Sequence, residues 1–292
     1  MSFSYRDEIK ELNDRTRQEA SGSFVQLTDG FTHYELSNPG GDETVVLVHG
    51  FSVPYFIYDP TFRFLTRSGF CVLRYDLFGR GFSDRPERRY DIDLFVRQLS
   101  DLLSARHITR PVSLVGLSMG GPIIAMFSVR FPERVKKLVL IDPSGAKPVV
   151  PTLALKLLTL PLLGEAILNQ MGKGGLAENI LSNFFDPTHV KHFQSRYLVQ
   201  VEYKGFKHAI LSTIRSGTIG PFLSEYRRIG KMDKPVLLFW GRQDRTVPFQ
   251  HSHILRAAMP QAQFYAFENC GHIPHYEKPD EVNPILLEFL KR

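Results

Sequence analysis

Six short apolar runs recur along this chain, and several of the gaps between them carry the periodicity of a helix. The runs are Thr44–Val48, Phe70–Tyr75, Val112–Val115, Leu138–Ile141, Val236–Trp240 and Gln263–Phe267. They are too short for helices and rich in β-branched and aromatic residues, which marks them as strands. Apolar character without alternation is what a strand buried on both faces of a parallel sheet requires. Between the runs, Ile92, Phe95, Val96, Leu99, Leu102 and Leu103 fall on one face of a helix starting near Asp91. Ile123, Ile124, Phe127 and Val129 fit a second helix, and Ile254, Leu255 and Ala258 a third. Strand and helix alternating in this way predict an α/β fold with a doubly wound, mostly parallel sheet. Phe24–Leu27 and Thr32–Leu36 read as an antiparallel hairpin at one edge, which brings the expected sheet to about eight strands.

The alternation stops after Ile141 and resumes near Lys234. The interval holds amphipathic pieces, Lys156–Asn169 and Val190–Val201, punctuated by Pro and Gly and without a clear strand. It reads as a mostly helical insertion over the C-terminal edge of the sheet, giving a core of residues 1–143 and 229–292 and a cap of residues 144–228. Charge concentrates there. Between Ala146 and Arg228 stand ten Lys/Arg against five Asp/Glu, in a chain whose formal charge is +6. This reads as a solvated basic face, or as attraction to anionic substrates or to an acidic membrane surface, which would allow peripheral membrane contact. No basic run with interleaved aromatics marks a nucleic-acid site. Cys71 and Cys270 cannot build a disulfide framework or a zinc site, so a reducing compartment is expected. The N-terminus, Met1 to Glu8, is polar and carries acids, unlike a signal peptide. The most apolar stretch, Val149–Leu163, is broken by Pro151, Lys156 and Pro161 and is too short to span a bilayer. A soluble cytoplasmic protein is expected. No metal cluster or nucleotide loop is visible, so no cofactor is expected either.

Gly116-Leu117-Ser118-Met119-Gly120 links the Val112 run to the Ile123 helix. Glycines two residues to either side of the serine permit a very tight strand-to-helix turn, where side chains would collide with strand and helix. Such a turn lifts the hydroxyl clear of the backbone and aims the following N–H at the same space, ready to stabilise an oxyanion. The pentapeptide also occurs as a plain structural turn, so its partners decide. A serine hydroxyl is a poor nucleophile near neutral pH and needs a base, which in turn needs an orienting group. Chemistry in a doubly wound sheet gathers at the carboxyl ends of the strands. Ser118 follows the Val112 run, Asp244 follows Val236–Trp240, and His272 follows Gln263–Phe267. His49, His251, His253 and His275 compete with His272, but only His272 joins a post-strand position to an adjacent glycine that permits a sharp loop. His275 reads as structural, since Pro274-His275 begins the next loop. Asp142, which ends the sixth strand, competes with Asp244; Gly241 and Val247-Pro248 frame a loop ahead of a helix and favour Asp244. Asp76 reads as a loop brace, and the Met119 side chain as packing. Cys270 has no cationic neighbour in sequence that would make it a reactive thiolate.

The order Ser, Asp, His, these strand positions and the serine motif together resemble the α/β-hydrolases over nearly the whole length. His49-Gly50-Phe51 follows the third strand, where the family places its second oxyanion donor; the resemblance implies the N–H of Phe51 beside that of Met119. Asp76 to Ser83 is similar to the family's glycine-rich loop after the fourth strand, and the long interval to Arg228 to its cap. The implied chemistry is acyl transfer by Ser118, with His272 as base and Asp244 orienting it. Asp at the turn would mark epoxide hydrolases and haloalkane dehalogenases; serine disfavours both. Carboxylesterases, monoacylglycerol lipases, cofactor-free perhydrolases and carbon–carbon bond hydrolases of aromatic degradation all keep the serine. The last group often has Asn where this chain has Leu117 and Trp where it has Ile273. Ester hydrolysis is therefore the first expectation, with the carbon–carbon hydrolase or perhydrolase as alternatives. Leu153, Leu155, Leu157, Leu158, Leu160, Leu162 and Leu163 are expected to line an apolar acyl pocket, to form a membrane-facing lid, or to pack the cap onto the core. A non-catalytic small-molecule receptor on the same fold is the reading from another class.

Overall fold

Every one of the six apolar runs is a strand. In this computed structural model, which describes residues 3–41, 43–148 and 152–292, β1 (Ser23–Leu27) and β2 (Gly30–Ser37) form the expected hairpin. Then come β3 (Thr44–Val48), β4 (Cys71–Tyr75), β5 (Val112–Leu117), β6 (Val135–Ile141), β7 (Val236–Gly241) and β8 (Gln263–Phe267). Met1, Ser2 and the Val149–Pro151 start of the apolar stretch lie outside the described residues. The sheet order is β1-β2-β4-β3-β5-β6-β7-β8, parallel from β4 through β8 and antiparallel at β1–β2 and β2–β4. The central strands are buried over most of their length: Val45 to Val48 and Leu138 to Ile141 expose nothing. The order reverses at β3, which has β4 on one side and β5 on the other. Crevices at such a reversal, outside the carboxyl ends, are where open α/β sheets bind ligands.

The helices, in chain order, are α1 (Asp14–Glu19), α2 (Asp59–Arg67), α3 (Ile92–Ala105), α4 (Gly120–Arg130), α5 (Thr152–Thr159), α6 (Leu163–Leu181), α7 (Val190–Val201), α8 (Phe206–Arg215), α9 (Leu223–Ile229), α10 (Gln250–Ala258), α11 (Pro274–Glu277) and α12 (Pro279–Lys291). Asp91 caps α3 as its position predicts, its side chain accepting the N–H of Leu94 at 3.0 Å. Helices α2, α11 and α12 pack together, and α3, α4, α9 and α10 form a separate row, one layer on each side of the sheet.

Within the inserted interval, α5 to α8 pack on one another, whereas α9 packs on α4 and α10. The expected Lys156–Asn169 piece is divided at Leu160–Leu162, because Pro161 cannot continue α5 and Leu162 turns to φ 65°. Of the leucines expected there, Leu153, Leu157, Leu160, Leu162 and Leu163 are exposed and none lines the cavity described below. The side chain of Leu155 is outside the described residues, and Leu158 packs at the edge of the core.

Much of the cap's positive charge is spent on ion pairs. Arg196 meets Asp59 on α2 at 2.6 Å, and Arg215 meets Glu165. Lys204 pairs with Glu11, Lys207 with Asp7, and Glu202 takes both Lys10 and Lys173. Three of these pairs come from the segment before α1, which crosses the cap as a strap. The Glu8 carboxylate sits at the start of α8, accepting the N–H groups of Gly205 (2.7 Å) and Lys207 (2.6 Å). Among the described residues no helix is long and apolar enough to cross a membrane.

Candidate active site

Ser118 sits between β5 and α4 with φ 52°, in the left-handed region that non-glycine residues rarely occupy. Its neighbours explain the motif. A Cβ on Gly120 would lie 2.2 Å from the Val48 carbonyl oxygen, and one on Gly116 would lie 2.6 Å from that of Gly120. Only glycines let the turn drop this close to β3. The turn is locked by Ser118 N–H donating to the Ile141 carbonyl (2.9 Å) and by the Ser118 carbonyl accepting from Gly121 (2.9 Å) and Ser144 (3.1 Å). Among the described residues, the N–H groups of Met119 and Phe51 donate to no backbone or side-chain acceptor.

Asp244 and His272 come together. His272 Nδ1 lies 2.7 Å from Asp244 Oδ2, with both side chains almost wholly buried. The other Asp244 oxygen accepts the N–H groups of Thr246 (2.7 Å) and Val247 (2.8 Å), which holds the carboxyl group in place. With Nδ1 engaged from behind, the free Nε2 of His272 is on the opposite edge of the ring. His272, Ser118 and Phe51 line one cavity of about 410 Å³. Ser118 Oγ and His272 are not hydrogen-bonded to each other across it; such contacts are often long in ligand-free sites. The remaining wall is largely apolar, with Val53, Ile57 and Leu117 from the core, Leu176 and Ile180 from α6, and Ile210 from α8. Ile273 lines the cavity next to His272. A polar corner is formed by Ser182, Asn183, Thr246 and Arg245, whose exposed guanidinium has no acid partner among the described residues.

The competing residues have other employment. His49 is fully buried; Leu77 N–H donates to its Nε2 at 2.9 Å, so its Nδ1–H donates to the Gly50 carbonyl. Burial pushes its pKa down to about 4, keeping it neutral. His275 packs on the Tyr58 ring, and burial, then the nearby His272, push it down to about 3. His253 stacks edge-on against Phe249, and burial, then Lys147, lower His251. Asp76 braces loops as expected, accepting from Tyr55 N–H, Phe82 N–H and His33 Nδ1. Cys270 is buried, and burial pushes its thiol up, away from thiolate reactivity. Asp142, Asp244 and His272 bring donor atoms within 4.8 Å of one another. That cluster is a poor cation site, because Asp244 and His272 are already bonded to each other through Oδ2 and Nδ1.

Three supports were not legible beforehand. The Asn183 carbonyl, in the loop after α6, accepts His272 N–H (2.8 Å), and its side chain accepts Thr246 Oγ1 (2.8 Å). One cap residue thus grips both loops that carry Asp244 and His272. Glu277 gathers the N–H groups of Phe185, Asp186 and Gly271. Arg80, wholly buried, donates to the carbonyls of Phe51 and Phe78 and to Thr213 of α8, joining the Phe51 loop to the cap. Only the glycine-rich context around Arg80 offered a hint.

The chain is similar to several hydrolases. The 2-hydroxy-6-oxononadienedioate/2-hydroxy-6-oxononatrienedioate hydrolase 1 of Pseudomonas putida is 30% identical over 292 residues, covering 94% of this chain and 98% of its own. The 2-hydroxy-6-oxo-6-phenylhexa-2,4-dienoate hydrolase of Comamonas testosteroni is 28% identical, covering 95% and 97%. The crystal structure of a bromoperoxidase from Bacillus anthracis, at 22% identity, superposes with a TM-score of 0.80 over 93% of this chain and all of the other. A family model for the alpha/beta hydrolases matches residues 45–285, and the chain belongs to that family.

Proposed function

We propose that this protein is a serine hydrolase that cleaves carboxylic esters with an apolar acyl group. One observation carries the reading: an alcohol on a positive-φ turn and an imidazole held from behind by a carboxylate open on one apolar cavity. His272 Nε2 takes the Ser118 proton as Oγ attacks the acyl carbonyl. The N–H groups of Phe51 and Met119 receive the oxyanion, a donor in such a place being worth roughly a hundredfold to a thousandfold in kcat. Asp244 holds the ring in the tautomer that presents Nε2 and stabilises the imidazolium. His272 then protonates the leaving alcohol, and a water activated by the same nitrogen releases the acid. Val53, Ile57, Ile180, Ile210 and Leu176 supply an apolar wall of a size suited to a small ligand.

The test is a panel of p-nitrophenyl and alkyl esters with the wild type and Ser118→Ala, together with fluorophosphonate labelling. Turnover and labelling that both vanish in Ser118→Ala support the reading. A folded wild type that neither labels nor turns over any ester would favour a binding protein instead.

Carbon–carbon bond hydrolysis is the second reading, supported by the names of the Pseudomonas and Comamonas relatives and by Arg245, a cavity-lining cation without an acid partner among the described residues. Leu117 and Ile273 count against it, since both put aliphatic side chains where that group often has Asn and Trp. A vinylogous 1,5-diketo acid included in the panel separates the two.

A further inference from the structure

Behind the Asp244–His272 pair lies a second carboxylate that the proposed mechanism does not use. Asp142 directly follows β6 with φ 41°, a strained conformation for a residue with a side chain, and it is completely buried. One of its oxygens accepts Gly241 N–H at 2.9 Å; the other, also buried, has no partner that donates to it. The cluster it forms with Asp244 and His272 spans less than 4.8 Å between donor atoms. Two carboxylates this close and this buried cannot both be ionised, so one carries a proton. The hydrogen-bond count says which. Asp244 accepts three N–H groups, from Thr246, Val247 and His272, whereas Asp142 accepts one.

We propose that Asp142 is a positioning residue, a neutral carboxylic acid whose O–H donates to Asp244 and so fixes the carboxylate that orients His272. The inference rests on Asp244 being the orienting acid. It explains the orphaned Asp142 oxygen: as an O–H donor it needs no N–H partner. The surrounding charges agree. Burial is the larger influence and Asp244 the next, with Glu277 on α11 adding to both, and all three hold the Asp142 proton on. Cys270, on the loop after β8, is itself a protonated thiol and offers no compensating charge. The donor matters because Asp244 faces a choice. Without it, the Asp244 charge falls undivided on His272 and raises the affinity of the imidazole for its proton.

Asp142→Asn and Asp142→Ala test this. Infrared difference spectra at neutral pH should show a protonated-carboxyl band in the wild type that Asp142→Asn lacks; this readout does not depend on turnover. Asp142→Asn keeps a donor of the same shape, so its kcat/KM should stay within about threefold and its acidic pH limb should not move. Asp142→Ala removes the donor and should lower kcat/KM about tenfold while moving the acidic limb upward. No band difference, or an acidic limb that falls in Asp142→Asn because a charge was lost, would overturn the proposal. An unmoved limb in a folded Asp142→Ala would do so too. If the wild type proves inactive on every ester, the mechanistic reading fails while the infrared result still decides the proton's place.

Discussion

Gly120→Ala gives the sharpest test of how the serine turn is built. The new Cβ would stand 2.2 Å from the Val48 carbonyl oxygen and 2.9 Å from that of His49, whereas ordinary contact begins near 3.4 Å. Both obstacles are backbone, so neither can rotate away, and the turn must part from the end of β3 by roughly 1 Å. Overpacking of this kind costs about 1–3 kcal/mol, and rigid backbone on both sides argues for the upper end. With an unfolding entropy of about 2.1 cal/mol/K per residue over 292 residues, ~3 kcal/mol corresponds to a Tm about 5 °C lower. The same displacement moves Met119 N–H relative to Phe51 N–H, and a 1 Å error in such a site costs about a hundredfold in kcat. Gly174→Ala is the control: it lies in α6 with nothing within 4 Å of the added carbon, and should stabilise by about 0.4–1 kcal/mol through the unfolded chain. Thermal unfolding and ester kinetics on both variants read the result. A Gly120→Ala protein with unchanged Tm and kcat would refute the claim that close approach, rather than turn flexibility, demands this glycine.

Three further outcomes are expected. Asn183→Ala removes the acceptor of Thr246 Oγ1, loosening the loop behind Asp244; steady-state kinetics should show kcat about tenfold lower with KM nearly unchanged. Arg245→Gln should raise KM about tenfold for an ester bearing a carboxylate on its acyl chain and leave neutral esters unaffected, since a charge-assisted contact is worth about 1.5 kcal/mol. His33→Gln tests a buried pair. Burial pulls the His33 pKa down, but Asp76 outweighs it and holds the value above 6.5, while Asp76 itself is held below 3.8 by His33 against the upward push of burial. The His33 contribution is complete below pH about 6.5 and is lost as pH rises through the raised value; the Asp76 contribution is lost as pH falls through its lowered one. The Tm gap between wild type and His33→Gln should therefore be widest between those limits and shrink toward alkaline pH. A gap that grows above neutrality would contradict the assignment.

Local pattern carried the fold a long way. The β-rich runs became β3 to β8, Asp91 capped α3, and the hairpin took the sheet edge, because burial on both faces leaves a continuous apolar signature that short-range reading detects. Ser118, Asp244 and His272 stand out as candidates for a like reason: each follows a strand end with a glycine nearby. The cap was less legible. Its leucines read as pocket, membrane-facing lid or packing; Leu153, Leu160 and Leu162 face outward, and the cavity wall comes from Leu176, Ile180 and Ile210. A helix's periodicity shows that it has an apolar face but not which neighbour covers it.

From the sequence alone came the alternating architecture, the serine turn and the chain order of the three candidate side chains, since each depends on residues close together along the backbone. Tertiary structure decided the rest. Asn183 gripping the His272 loop, the N-terminal strap neutralising cap lysines, and Asp142 standing behind Asp244 all join residues tens to hundreds of positions apart. Such pairings are set by how whole elements pack, and no local spacing encodes them.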